Sequence, residues 1–342
     1  MHTCMAYIHV KKVGGKKYYT LRVSVRDKAG RVITKDIENL GSDLSKINIE
    51  NLEKKHKKET RKSYHTIKKF LESEYYLNKA KNKKLKKSLF FSKEQMEFIE
   101  STKIHYDLKF LKFSNETKKE IFDIFLIKFA VSSTSIEGNT ITLKEATKLL
   151  REHRAPKNRT LREIYDLQNS KNVFFDLLGK KPELSLNMIE EVHDALLERI
   201  DSRKGYRNHD IRILGQPFKP SPAHYVKTDI KLLLDWFNKQ KKTTHPLALV
   251  IFFHHKFENI HPFSDGNGRT GRILLNHILL TLGYPPLIIQ KKNRDEYIEA
   301  MNEADNAIRK NLLSTDIKPY QKLFNFIYAE YKGTYWNTFC TL

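Results

Sequence analysis

Residues 261–272, HPFSDGNGRTGR, gather a histidine, an aspartate, three glycines and two arginines into twelve positions. The apolar run PLALVIFFHHKFENI ends just before His261, and a second helical pattern, RTGRILLNHILLTLG, closes at Gly283. A glycine-rich turn therefore leads straight into a helix N-terminus, where backbone N–H groups lack helical partners and the dipole is positive. Gly266 and Gly268 let the main chain curl those groups around an anion. Arg269 and Arg272 are three residues apart, so both leave one face of the first turn. The pattern predicts a phosphate cradle with two cationic arms. Asp265 beside it suits Mg²⁺, and His261 at the rim could take a proton from an incoming hydroxyl. Taken singly, each feature reads as a turn, a cap or a solvated charge. Together they point to transfer of a nucleotide group.

The same stretch resembles the signature of the Fic family, H-P-F-x-D/E-G-N-G-R-x-x-R, at every fixed position. The flanking HHKFENI and LGYPP are similar to the family as well, and the likeness covers roughly residues 90–330. It implies a helical protein that transfers AMP from ATP to a Ser, Thr or Tyr hydroxyl of a target protein, itself included. By position, His261 would deprotonate the hydroxyl and Phe263 would anchor the loop. Asp265 would hold Mg²⁺. Gly266, Asn267 and Gly268 would line the anion hole for the α- and β-phosphates, and Arg269 and Arg272 would meet the β- and γ-phosphates. Residues 203–225 resemble the family's target-docking flap, with Ile213 and Leu214 pairing strand-like to the target. UMP or GMP as the transferred group is an alternative, because no motif specifies adenine.

A second stretch, SSTSIEGNT at 132–140, resembles the family's inhibitory helix, S/T-x-x-x-E-G/N, with Ser133, Glu137 and Gly138 at the fixed positions. The likeness implies that Glu137 pairs with Arg272 and removes the partner of the γ-phosphate. At about 4 Å and an effective dielectric near 20, such a pair is worth roughly 4 kcal/mol before desolvation. A glutamate at a helix C-terminus opposes the dipole and needs a compensating cation. In some family members the same glutamate helps to remove AMP, and members with this lock are often homodimers.

The elements that must carry these residues are mostly helices. ETKKEIFDIFLIKFAVSSTSIEGN spaces Ile121, Phe122, Phe125 and Phe129 for a helix capped by Asn115 and stopped at Gly138-Asn139. TLKE at 142–145 is a capping box. Further helices are expected at about 160–178, 185–200, 226–240, 246–260, 268–282, 293–309 and 319–331. Residues 6–40 alternate apolar and polar types around Gly14-Gly15 and DKAG, which predicts three antiparallel strands. The expected fold is thus mainly α, a Fic-type core (89–342) with its inhibitory helix around 116–138 and a short β-hairpin flap. A small antiparallel β-meander (1–42) and a lysine-rich helical linker (43–88) precede it.

Charge adds a further expectation. The 342 residues carry a formal +23, and residues 1–100 hold 25 Lys and Arg against 12 Asp and Glu. A basic excess with Tyr7, Tyr18 and Tyr19 interleaved suits nucleic acid, or a solvated accessory sheet. Two cysteines, Cys4 and Cys340, form neither a disulfide framework nor a metal spacing. With no long apolar run and no signal-peptide core, the expected setting is cytoplasmic, without a membrane partner.

Overall fold

The computed structural model describes residues 3–27, 29–212, 219–309 and 311–340. Two compact units emerge: Met1–Lys86 with Glu97–Phe110 and Phe339–Leu342, and Lys87–Met96 with Leu111–Thr338.

The first unit opens with β1 (Thr3–Val13), β2 (Lys16–Arg26) and β3 (Val32–Gly41), paired antiparallel in the order β1-β2-β3. Gly14 and Gly15 take positive φ, as a two-residue hairpin turn requires. Tyr19, Leu21, Val23 and Val25 alternate inward on β2, so the sheet has one buried face. That face packs with α1 (Ile49–Lys55), α2 (Lys57–Thr60) and α3 (Tyr64–Lys81) around Leu44, Leu52, Ile67 and Leu71. Residues 43–88 were expected to be a lysine-rich helical linker. Over 44–81 they are instead the helical half of this unit's core, because Leu52, Ile67 and Leu71 supply the apolar stripe that three strands alone lack. Tyr19 is fully buried, with its hydroxyl 3.1 Å from Glu74 Oε2, which removes it from any surface role. Elsewhere in the unit, Glu72 is buried against Lys109, His105 and the Cys340 thiol.

The second unit is helical. α4 (Lys93–Leu108) begins in it, followed by α5 (Asn115–Ile136), α6 (Leu143–Glu152), α7 (Leu161–Lys180), α8 (Leu186–Leu196), α9 (Val226–Gln240), α10 (Pro246–Ile260), α11 (Asn267–Thr281), α12 (Arg294–Ile308) and α13 (Ile317–Thr338). Ser114, not Asn115, caps α5: its side chain accepts from Thr117 N–H. The expected Thr142–Glu145 capping box is present, and Thr160–Glu163 makes a second one at α7. α10 and α11 lie at the centre, buried along almost their whole length, and are flanked by α9, α8, α7, α5 and α12. Phe125 and Phe129 of α5 pack on Phe174 of α7, which seats α5 beside α11. Among the described residues of 203–225 there is no strand; Ile213 and Leu214 lie outside the described residues. No helix among the described residues is long and apolar enough to cross a membrane.

Candidate active site

The twelve-residue stretch joins α10 to α11. His261 caps α10 in the left-handed region (φ 51°), and Gly266 precedes α11 at φ 77°. The first is uncommon for a non-glycine residue, and the second suits glycine alone. Asn267 holds the turn shut: Phe263 N–H donates to its Oδ1 at 2.9 Å, and its Nδ2 donates to the Phe263 carbonyl at 2.8 Å. The sequence placed Asn267 in the anion hole; its side chain is spent on the loop itself, leaving the backbone N–H for a ligand. With Thr270 N–H bonded to the Gly266 carbonyl, the N–H groups of Asn267, Gly268 and Arg269 have no helical partner.

Phe263 is fully buried. Its ring stacks on His193 at 3.7 Å between centroids and on Tyr206 at 5.1 Å. The His193 ring nitrogens lie 2.8 Å from Asp194 Oδ1 and 3.1 Å from the Asp265 carbonyl, so α8 supports the loop from below. Phe263→Ala would open a cavity under it. The expected loss is about 3–5 kcal/mol, read as a lower denaturant midpoint by circular dichroism.

His261 is half-buried, and its Nδ1–H donates to the Glu258 carbonyl at 3.2 Å. Burial pushes its pKa down to about 4. The imidazole is then neutral at pH 7 with its Nε2 lone pair available, the state a general base needs. Arg207 fixes the histidine's backbone. Its Nε donates to the His261 carbonyl at 2.9 Å and its N–H to the Pro262 carbonyl at 3.0 Å, while its Nη groups reach the His209 and Ser221 carbonyls. This buried arginine ties the segments around His209 and Ser221 to the α10–α11 loop.

Asp265 accepts from Gly266 N–H at 2.6 Å, Arg162 at 2.6 Å and Arg269 at 3.1 Å. Burial pushes its carboxyl up, but Arg269, the Gly266 N–H and Arg162 outweigh it and hold the pKa below the ordinary range. One ionised carboxylate beside free helix N–H groups fits Mg²⁺, which is held by one or two carboxylates plus substrate phosphates. Arg162 is 60% exposed, the most exposed of these partners. Arg269 is buried and also bonds Asp166 of α7.

Arg272 is buried and aimed at the end of α5. Its Nε donates to Ser133 Oγ at 3.0 Å, and its Nη2 donates to the Ser133 carbonyl at 2.9 Å and to Glu137 Oε1 at 2.7 Å. Gly268 makes room for this contact, since a methyl group there would overlap the Glu137 carboxylate. The backbone around Glu137 is held from two sides. Arg294 Nε donates to the Ile136 carbonyl at 2.9 Å, and Asn139 Nδ2 donates to the Glu163 carbonyl at 2.9 Å. An open cleft of about 840 Å³ faces Glu137, Glu258, His261, Gly268, Arg272 and Tyr297.

Sequence reasoning missed Asp166, Arg162, His193, Arg207 and Glu258. Glu258 stands in HHKFENI, one helical turn before His261, but carries no spacing signal of its own. Burial pushes its carboxyl up to about 8 from an ordinary 4.5. Between those values the folded chain holds one proton more than the unfolded chain, so stability falls as pH rises through that window. Glu258→Gln is expected to leave the melting temperature unchanged near pH 5 and to raise it by several degrees at pH 9, measured by calorimetry.

Comparison with known proteins agrees with this geometry. Residues 183–279 match the Fic/DOC family. The chain is 34% identical to the protein adenylyltransferase Fic of Aedes aegypti over 193 residues, 52% of this chain and 38% of that protein. It is 34% identical to a probable protein adenylyltransferase of Aquifex aeolicus over 191 residues, 55% of this chain and 57% of that one. It thus spans well under two thirds of either relative. Its fold is similar to that of a Fic domain containing signaling protein from Bacteroides thetaiotaomicron, with TM-score 0.63, 21% identity, and 69% and 94% of the two chains covered. Fic-1 from C. elegans gives TM-score 0.59 at 24% identity over 73% and 71%. The twelve-residue loop lies inside the stretch that matches the Fic/DOC family, and the helices that carry it are similar in fold to those of these Fic structures.

Proposed function

We propose that the chain transfers AMP from ATP to a hydroxyl side chain of a target protein, and that Glu137 restrains it. The observation that carries the reading is the α10–α11 loop, which sets a neutral His261 beside the free N–H groups that open α11. His261 Nε2 takes the proton of the target hydroxyl, and the hydroxyl oxygen attacks the α-phosphorus. The bond from that phosphorus to the bridging oxygen breaks, and pyrophosphate leaves. The N–H groups of Asn267, Gly268 and Arg269, with the Arg269 guanidinium, face the negative charge that builds on the phosphates. Asp265 would hold Mg²⁺, which neutralises phosphate charge when bound. The names of the relatives support adenylylation as the reaction.

Restraint rests on the Glu137–Arg272 pair. Glu137 keeps 42% of its side-chain exposure, so screening lowers the direct attraction to about 1 kcal/mol. The larger effect is occupancy. With Ser133 and Glu137 on its guanidinium, Arg272 has little left for a γ-phosphate. In this reading Glu137 must leave before ATP aligns, and removal of AMP from a modified target would use the same carboxylate. Homodimers and a cytoplasmic setting, the latter supported by a cysteine count of two, complete the proposal.

The test is incubation of the full chain with ATP, UTP or GTP and Mg²⁺, followed by intact mass. A gain equal to one AMP supports the reading. Exclusive gain of UMP or GMP replaces the donor, and no gain under any condition, Glu137→Gly included, sinks it.

A further inference from the structure

The sheet of the first unit uses only one of its faces for packing. On β2 the buried residues are Tyr19, Leu21, Val23 and Val25, so Tyr18, Arg22 and Arg26 share the opposite face. The register places Tyr7 opposite Arg22, Lys11 opposite Tyr18 and, on β3, Asp36 opposite Arg22. Lys16 at the start of β2 falls on the same face. Lys11, Lys16 and Arg26 are exposed, as is Tyr18 at 38%. Asp36 is the one acid among the described residues of that face, and it pairs with Arg22. Met5 and Val32 stand at its margin, 57% and 58% exposed. The face is therefore cationic and aromatic, and the helices of its unit lie on the other side.

We propose that this face is a docking surface for double-stranded B-form DNA, seated in the major groove. Charge complementarity is the first argument: four cations against one acid face a polyanion. Dimensions are the second. The major groove, about 12 Å wide, admits a two-stranded β-ribbon, and β1 and β2, which carry all four cations, form that ribbon. Side chains on one face repeat about every 6.8 Å along a strand, close to two base-pair steps of about 3.4 Å each. Arg and Lys on such a ribbon can reach guanine edges or phosphates, and the tyrosines add contacts to sugar and base. A-form RNA has a major groove too deep and narrow for a sheet, so the shape favours DNA. Burial of Tyr19 argues against a stacking platform for single strands, because one of the three tyrosines that such a platform would use is in the core. This inference is independent of the nucleotide-transfer reading.

The experiment uses the full chain and fluorescence anisotropy with a labelled 20-base-pair DNA duplex of mixed sequence. Binding is expected at moderate salt, with an affinity that falls steeply as salt rises. Three phosphate contacts, from Lys11, Lys16 and Arg26, give a slope of log K against log salt of about −2.7. Lys11→Glu with Arg26→Glu is expected to weaken binding more than tenfold. The charge-matched pair Lys58→Glu with Lys62→Glu, on the helical side, is expected to weaken it less than threefold. Asp36→Asn, which releases Arg22, is expected to tighten binding, whereas Glu53→Gln is not. Circular dichroism checks that each variant is folded. No binding at 50 mM salt overturns the proposal. So does equal loss in the two charge-reversal pairs, which would mark diffuse lysine charge, or tighter binding of single-stranded DNA or duplex RNA than of duplex DNA.

Discussion

Glu137→Gly is expected to raise self-labelling by ATP more than tenfold over the parent chain. The side chain lost is an acid bonded to Arg272, 2.7 Å from its Nη2. Its removal leaves Ser133 as the remaining partner from α5, through hydroxyl and carbonyl. Those are neutral acceptors, which a phosphate displaces far more readily than a carboxylate. Glycine at 137 also spares the backbone, since the turn is held through the Ile136 carbonyl and Asn139 and not through the glutamate side chain. The measurement is incorporation of α-labelled ATP under limiting nucleotide. A variant no more active than the parent would mean that Arg272 is not the contested group. Glu137→Gln is expected to fall between the two, because the amide can still occupy the site without the charge.

His261→Ala in the Glu137→Gly background is expected to remove labelling by a factor of about 10² to 10⁴, the usual worth of a positioned base. Binding of ATP should survive, because none of the phosphate-facing N–H groups belongs to residue 261. Retained affinity with lost turnover separates a chemical role from a collapse of the loop. The pH profile gives an independent check. A histidine held near a pKa of about 4 by burial is neutral across the physiological range. Activity of Glu137→Gly should therefore show no acid limb between pH 6 and 8. A fall centred near pH 6.5, the ordinary value for histidine, would show that the site is wetter than its geometry implies.

Much of the site was legible because its backbone and side-chain demands fall in one contiguous stretch. The positive φ at Gly266, the helix start at Asn267 and the arginine spacing all leave marks in HPFSDGNGRTGR. Thr142 and Glu145 were legible for the same reason, as both halves of a capping box lie three residues apart. Asp166, His193 and Arg207 left no mark. Each reaches the loop from an element far along the chain, and tertiary packing has no sequence period. Asn267 shows a different limit: its type and position were readable, but whether its amide faces a ligand or its own loop depends on how tightly Phe263 is drawn into the core. The sheet was readable as strands, yet which tyrosine faced inward turned on register. The apolar stripe of α1 to α3 was hidden under lysines, which is why 43–88 read as a linker.

The closed ring that Asn267 makes with Phe263 bears on how the enzyme would respond to its surroundings. A loop shaped by its own side chain needs no nucleotide to order it, so little conformational entropy is lost on binding. Under the proposed restraint, the resting rate would be set by a contest for one guanidinium between ATP and a carboxylate fixed to the end of α5. That carboxylate behaves as a tethered competitor, present at an effective concentration of about millimolar or more. Its strength does not change on dilution, so output per molecule should be the same at any protein concentration unless something outside the chain pulls α5 away. On that reading the fold would convert a binding equilibrium into a set point, governed by ATP level and by whatever partner can reach the end of that helix.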